Sequence, residues 1–461
     1  MKKISLNSDD INKIFNLNIE KQYFTGCNVD SRLIKKGNIF FAIKGKSNDG
    51  NKYIAEAKIN GATLAIVEKK DHKVKIPQIL VNKSHLILIK LAKFIRNNSK
   101  SKFIAITGSV GKTSTKDALA HILKNEKNIF SARKSYNNIF GVPLEILNMP
   151  SNTKIGIFEV GMNHKNEIKK LISILKPNIG VILNINYVHG GNFNSLKDIA
   201  LAKAEIIDEK YPLDTLIVNK DTTHFKLINA KARKIKIKNI FTYSTNKNAN
   251  IMLDDFRINK SQLNIAICIY DEKKIKYKMN SINSYLISNT MALIACLKSI
   301  KYDLNLIKNL KDLSITKGRG NITKLKKDNK IIKLHDHSYN SSPTSLFASL
   351  NSFLKISNQK NLIIVGDMHE LGSKSNYYHI KVLNFLSKNR NSIHLLVGKN
   401  FFKNRKKYSS ANMHFFNNVE YLNSEIVNFV EQINKIFIKG SNSIGLYKTV
   451  NYLNNIMQIK K

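Results

Sequence analysis

The chain of 461 residues has no tryptophan, three cysteines, six prolines and 20 glycines. So little proline and glycine excludes a collagen-like or Pro-rich low-complexity protein. Cys27, Cys268 and Cys296 are odd in number and far apart. They form neither a Cys-x-x-Cys pair nor a Cys/His metal spacing, so a reducing, cytoplasmic compartment is expected. No window approaches about 18 uninterrupted apolar residues, so no membrane span is expected. Met1-Lys2-Lys3 is followed by polar Asn7, Asp9 and Asp10 rather than an apolar stretch, so no signal peptide is expected either. Acids are scarce: Asp and Glu number 32 against 76 Lys and Arg, for a formal charge of +44. Eight of the 76 are Arg, leaving 68 Lys. A nucleic-acid reader gathers Arg and Lys on one face. Here Lys is scattered among Asn and Ile along the whole length, which describes a solvated surface. Such a field attracts anionic substrates such as nucleotides, less so in salt.

What is present suffices for several cores. Hydrophobic residues make up 43%, and roughly 150 residues per domain gives about three domains. In the first hundred residues Ile39 to Ile43 and Ala62 to Val67 read as strands, with a helix from Ala55 to Ile59 and a polar linker over Asn97 to Ser101. From Phe103 onward, strands at Phe103 to Thr107, Lys154 to Val160, Ile179 to Asn184 and Thr215 to Asn219 alternate with helix-length segments. This predicts a largely parallel sheet with helices on both faces. An antiparallel excursion is expected over 249–280, including a strand at Gln262 to Tyr270, followed by a buried helix at Ser288 to Leu297. A third α/β segment follows Lys317-Gly318-Arg319-Gly320, with strands at Ile331 to Leu334, Asn361 to Val365, Ser392 to Val397 and Lys435 to Ile438.

The strongest local signal is Thr107-Gly108-Ser109-Val110-Gly111-Lys112-Thr113-Ser114-Thr115-Lys116, between a strand and a helix. Glycines let backbone N–H groups approach phosphate oxygens, and the helix N-terminus adds its positive dipole end. Lys112 supplies a mobile charge for the terminal phosphates, and Thr113 offers a hydroxyl to Mg²⁺. Ile106 stands where the common spacing has its first glycine, so the loop is a shortened variant. The alternative is a strand-to-helix turn that binds no nucleotide. Glu159 ends one predicted strand and His189 follows another, both at the sheet edge where ligands of open α/β sheets bind. Each could equally be a structural residue. Lys203 lies in a helix and is not distinguishable by pattern from the other lysines. Asn137, Asn138, Gly141 and Pro143 read as a turn before a helix.

Taken together these residues resemble the Mur ligase family of ATP-dependent amide-forming enzymes. The shortened loop with its Thr113 to Lys116 tail, Glu159 at a strand end, His189 after Asn184 and Lys203 in an Ala-Lys-x-Glu helix carry the likeness. Asp30-Ser31-Arg32, Phe40 to Gly45, Asn137-Asn138-x-x-Gly141-Val142-Pro143, Asp336-x-Ser338-Tyr339-Asn340, Gly366-Asp367-Met368-x-Glu370-Leu371-Gly372 and Lys439-Gly440-Ser441 extend it to nearly the whole chain. The long C-terminal signatures are similar to those of the subgroup that joins D-alanyl-D-alanine to UDP-N-acetylmuramoyl-tripeptide. Asn283, Tyr285, Ser342 and Asn442 depart from the family's usual residues.

The resemblance implies an α/β protein of three domains. These are a UDP-sugar-peptide-binding domain over 1–100, a P-loop ATPase domain over 101–315, and a Rossmann-like domain over 316–461 that closes on ATP and binds the amine donor. It implies ATP and Mg²⁺ as cofactors, a monomer in the cytoplasm, and no nucleic-acid partner. Catalysis would fall to Lys112, Glu159, His189, Lys203 and Asn137. The nucleotide would be held by Thr107, Gly108, Ser109, Val110, Gly111, Lys112, Thr113, Asn289 on the adenine side, Arg319 and Asp336. Substrate would meet Asp30, Ser31, Arg32, Asn138, Tyr339 and Asn340. Metal would be held by Thr113, Glu159, His189 and Lys203, the last carbamylated by CO₂. The competing expectations are a sibling ligase adding a single amino acid, a basic P-loop protein that binds nucleic acid, and a non-catalytic paralogue.

Overall fold

A computed structural model describes residues 4–45, 48–133, 135–187, 191–246, 248–257, 264–279, 284–314, 317–327, 330–355, 360–431 and 433–459. It comprises three α/β units, each built on its own sheet. The N-terminal sheet has four parallel strands in chain order: Gly26–Asn28, Asn38–Phe41, Ala62–Val67 and Gln78–Leu80. The central sheet runs, edge to edge, Lys273–Met279, Asn264–Tyr270, Ile251–Arg257, Asn239–Ser244, Thr215–Asn219, Ile179–Ile182, Lys102–Thr107, Ile155–Glu159 and Ile129–Ser131. Its first strand pairs antiparallel with the second and the second antiparallel with the third, as the sequence predicts, and the remaining pairings are parallel. The C-terminal sheet orders Met413–Phe416, Ser392–Val397, Asn361–Gly366, Lys435–Lys439 and Lys330–His337 in parallel, then adds Asn321–Lys327 and Gln458–Ile459 antiparallel. Among the described residues no helix is long and apolar enough to cross a membrane.

The strands form because short apolar runs are buried on both faces of a parallel sheet. Every residue of Ile155–Glu159 and Thr215–Asn219 is buried. The helix Ser284–Ser299 is the helical counterpart, with Met291 to Leu297 wholly enclosed against the central sheet.

The expected linker over Asn97 to Ser101 is not one. The helix Ser84–Asn98 runs through its first half, and the buried Ser101 Oγ donates to the Thr153 carbonyl at 2.7 Å. From the same helix, Arg96 donates to the Leu175 and Lys176 carbonyls at 2.7 Å each. These carbonyls end the helix Glu167–Leu175, where acceptors lack partners and the dipole favours a cation. The Arg96 guanidinium also lies 4.2 Å over the Phe103 ring. One hydrophobic core accordingly runs from Ile4 and Phe41 in the N-terminal unit to Phe158 and Leu216 in the central one.

The expected turn before a helix is also shorter than read. Gly141 and Pro143 already lie inside the helix Gly141–Leu147. Proline is tolerated in a first turn because its missing N–H would have no helical partner there.

Candidate active site

The strand Lys102–Thr107 lies between Ile155–Glu159 and Ile179–Ile182. The chain leaves it to one side and returns on the other, which opens a crevice at its C-terminal end. The glycine loop occupies that crevice and feeds the helix Lys112–Ile122. Gly111 has φ +91, and a Cβ there would collide with Asn289 Nδ2, so the turn requires glycine. The loop is held from outside. Ser109 and Val110 donate their N–H groups to the Asn184 carbonyl and Oδ1, both at 2.9 Å, and Ser109 Oγ donates to the Asn186 carbonyl at 2.9 Å. With those two N–H groups occupied, the anion cradle narrows to the start of the helix at Gly111, Lys112 and Thr113. Thr107 and Gly108 lie beneath it, and the buried Thr107 hydroxyl has no partner among the described residues.

Lys112 folds back to donate to the Gly108 carbonyl at 2.9 Å. Burial pushes its amine below the usual lysine range, and the Glu159 charge opposes that shift. Thr113 Oγ1 donates to Glu159 Oε2 at 2.6 Å, and Asn137 Nδ2 donates to Glu159 Oε1. Asn137 is placed by its loop. Arg133 donates Nε and N–H to the two oxygens of the buried Glu145 at 2.6 Å each, and its guanidinium lies 4.3 Å over Tyr136. Asn138 Oδ1 accepts the Phe140 and Gly141 N–H groups at 3.1 and 2.9 Å. Lys203 closes the helix Leu196–Lys203, which Ser195 caps by accepting from the Asp198 N–H at 3.1 Å. It is buried. Burial first, and the Lys112 charge second, hold its amine well below the ordinary range.

The C-terminal unit supplies the facing wall. Asp336 is buried and does not line the cleft. Its two oxygens accept the Gly318 and Ser338 N–H groups at 2.9 Å each. These contacts fix the turn that carries Arg319. The Arg319 guanidinium stacks 4.1 Å over Tyr339 and donates Nη2 to Thr113 Oγ1 at 3.3 Å. Tyr339 and Ser135 hydroxyls meet at 2.8 Å across the interface. The two walls bound a cleft of about 580 Å³.

Ser109, Val110, Gly111, Lys112, Thr113, Asn137, Asn138, Glu159, Arg319, Tyr339 and Asn340 line that cleft together. Asn289 opens instead on an adjoining cavity of about 70 Å³ with Leu286, Leu293 and Leu310. Neither of its amide atoms has a partner among the described residues. His189 lies outside the described residues. Asp30, Ser31 and Arg32 are not part of the cleft wall. Arg32 pairs with Asp30 through Nη2 at 2.7 Å, and Ser31 Oγ donates to Glu56 at 2.6 Å. Sequence reasoning quoted the segments containing His337, Glu370 and Lys439 but assigned these three cleft residues no role. His337 titrates well below its usual range because it is buried, with Lys439 adding to the shift.

The arrangement can hold a polyphosphate at the helix start, present hard oxygens beside it, and bring an arginine onto it from the opposite wall. Comparison with known proteins agrees. The Mur ligase middle domain matches residues 106–297, and the model described as Mur ligase family, catalytic domain, matches residues 23–98. The UDP-N-acetylmuramoyl-tripeptide–D-alanyl-D-alanine ligase of Rickettsia prowazekii (strain Madrid E) is 34% identical over 444 residues, covering 95% of this chain and 97% of its own. Crystal structure I of MurF from Acinetobacter baumannii superposes with TM-score 0.82 at 24% identity, over 98% of this chain and 96% of that one. MurF ligase from Thermotoga maritima in complex with ADP gives 0.78 at 24% identity, over 94% and 97%.

Proposed function

The chain belongs to the Mur ligase family, and from that premise we propose that it joins D-alanyl-D-alanine to UDP-N-acetylmuramoyl-tripeptide at the expense of ATP. The observation that carries the reading is the convergence of Lys112, Thr113, Glu159 and Asn137 with Arg319 on one cleft. The tripeptide carboxylate attacks the γ-phosphorus of ATP, giving ADP and an acyl phosphate. The dipeptide amine then attacks the acyl carbon, forms the C–N bond and expels phosphate.

A carboxylate is a poor acyl donor, and it repels ATP. The site therefore has to supply positive charge and alignment. N–H groups of Gly111 to Thr113 and the Lys112 ammonium hold the β- and γ-phosphates, and Arg319 adds charge as the C-terminal unit closes. The cavity beside Asn289 suits adenine, with apolar walls for the ring and an unspent amide for its edge. Thr113 and Glu159 fit Mg²⁺, because this ion takes hard oxygens and keeps water and phosphate as its other ligands. Bound there, it neutralises phosphate charge. Asn137 keeps Glu159 turned toward Thr113. Burial lowers the Lys203 amine, which favours the unprotonated form that adds CO₂, and its carbamate with His189 would hold a second ion. Tyr339, Asn340 and Asn138 lie where the peptide end of the substrate would enter. Asp30, Ser31 and Arg32 are kept for the nucleotide-sugar end. Closure excludes water from the acyl phosphate. The divisions 1–100, 101–315 and 316–461, a monomeric state and a cytoplasmic location complete the proposal.

Incubation of the purified chain with ATP, Mg²⁺ and UDP-N-acetylmuramoyl-tripeptide should release ADP in step with product when D-alanyl-D-alanine is added. Mass spectrometry should then find the pentapeptide nucleotide. A product carrying one added amino acid, with the dipeptide refused, overturns the reading in favour of a sibling ligase.

A further inference from the structure

The hydrophobic cores of the C-terminal unit are separate from those of the other two. Contacts between surfaces therefore decide where that unit stands. Two of them, Arg319 on Thr113 and Tyr339 on Ser135, lie at the cleft. A third stands apart from it. Tyr187, Lys374 and Tyr378 are not part of the cleft wall. The Lys374 ammonium lies 4.3 Å over the Tyr187 ring, and the Tyr378 ring stands 6.0 Å from that ring at 34°. Tyr377 adds an edge contact to Tyr378 at 5.1 Å. The backbones also come close: a Cβ on Gly191 would meet the Gly372 Cα at 3.9 Å.

Each ring is rooted in its own unit. Tyr187 packs on the core that runs through the N-terminal and central units, and Tyr378 packs on a core of the C-terminal unit. Lys374 ends the turn Gly372–Lys374, and the helix Ser375–Leu386 carries Tyr378. The signature Gly366 to Gly372 leads straight into that turn. His379, from the same helix, accepts the Met368 N–H at 3.1 Å, which ties the helix to the signature.

The residues just before Tyr187 hold the phosphate loop. Ser109 Oγ donates to the Asn186 carbonyl and accepts the Asn186 N–H, both at 2.9 Å. Asn184 takes the N–H groups of Ser109 and Val110. A Cβ on Gly108 would stand 2.8 Å from the Leu183 Cβ, so the two stretches also lie in direct contact. One short segment thus grips the loop at its start and the C-terminal unit at its end. Two sites joined through one element bias each other reciprocally. We propose that Tyr187 is a positioning residue, the latch that couples docking of the C-terminal unit to the phosphate loop. Nucleotide in the loop favours docking, and docking favours nucleotide. The assignment rests on the use of ATP proposed above and not on the identity of the amine donor.

Small-angle X-ray scattering of the full chain, titrated with a non-hydrolysable ATP analogue and Mg²⁺, reads docking directly. Wild type should compact. Tyr187→Leu should need roughly tenfold more analogue for half of that change, the combined scale of an aromatic pair and a cation–π contact. Tyr187→Phe keeps the ring and should match wild type. Lys374 is exposed, so Lys374→Met should keep the wild-type melting temperature while shifting the midpoint roughly threefold. Added to Tyr187→Leu, it should shift the midpoint no further. In turnover the Tyr187→Leu defect should lie in ATP KM, with kcat kept. A wild type that does not compact overturns the inference, as does a wild-type midpoint in either Tyr187→Leu or Lys374→Met. So does a Tyr187→Phe defect equal to that of Tyr187→Leu. A wild type that compacts but yields no hydroxamate from ATP, UDP-N-acetylmuramoyl-tripeptide and hydroxylamine overturns the reaction instead.

Discussion

The two walls of the cleft are built on opposite electrostatic plans. On the central side Glu159 is held by Thr113 and Asn137, Lys112 by the Gly108 carbonyl, and Glu145 behind them by Arg133. On the C-terminal wall, basic groups are buried with few acids. Lys439 and His337 are both depressed by burial, and Arg319 is met by an aromatic ring and a hydroxyl. The first wall is organised before substrate arrives. The second presents basic groups to the cleft that few acids answer. This division suits a ligase whose first step needs alignment and whose second needs a protected, newly assembled pocket.

The sharpest way to break the comparison is at Lys112. Lys112→Ala should reduce ADP formation roughly 10³-fold, at the upper end of the range for losing one charge-stabilising donor, with an unchanged melting curve. Wild-type turnover would remove the central wall from catalysis.

Glu159→Gln keeps shape and both neighbours but loses the charge. A fall in kcat of about 10²-fold is expected, relieved in part by raised Mg²⁺, on the scale of lost metal-site ligation. Insensitivity to Mg²⁺ concentration would sever Glu159 from the metal.

Acid probes the other wall. Burial brings both His335 and His394 down to about 4, with the Lys435 and Lys333 charges adding to the shift at His335. In the unfolded chain they titrate near 6.5. Between these values the unfolded state binds the extra protons. Stability is therefore full above about 6.5 and lost progressively as pH falls toward 4, by about 2 kcal/mol per histidine at pH 5. Hydrogen exchange at pH 7 and pH 5 should show the strands Ser392–Val397 and Lys330–His337 losing protection ahead of Thr215–Asn219. Uniform loss across both sheets would erase the contrast.

The smallest effect belongs to the bridge between walls. Tyr339→Phe removes the contact with Ser135 but leaves the ring under Arg319. It should cost about 1 kcal/mol or less, typical of one exposed hydrogen bond, read as a modest rise in ATP KM. A loss as large as that of Glu159→Gln would mean that the hydroxyl meets substrate.

The sequence disclosed the buried runs well. Ala62–Val67, Thr215–Asn219 and Ser392–Val397 begin and end where read, because fully enclosed strands are continuous apolar segments. Asn239–Ser244, Asn321–Lys327 and Met413–Phe416 were not anticipated. The first passes from an exposed Asn239 through half-buried residues to a buried end, the second alternates exposed residues with more covered ones, and the third is four residues at a sheet edge. The phosphate loop was legible because its chemistry is local. That Asp336 accepts backbone N–H groups from two turns and lies off the cleft wall was not legible in its motif.

Arg96, gripping the end of a helix in the next unit and roofing Phe103, has a consequence for how the enzyme moves. A core that runs without a seam from Ile4 to Ala232 cannot hinge in its middle. The N-terminal unit and the phosphate loop are therefore built on one continuous anvil. An opening stroke is accordingly expected of the C-terminal unit, whose cores are separate from this one. A fragment cut at residue 101 would bare half of that anvil and aggregate instead of folding as a smaller ATPase.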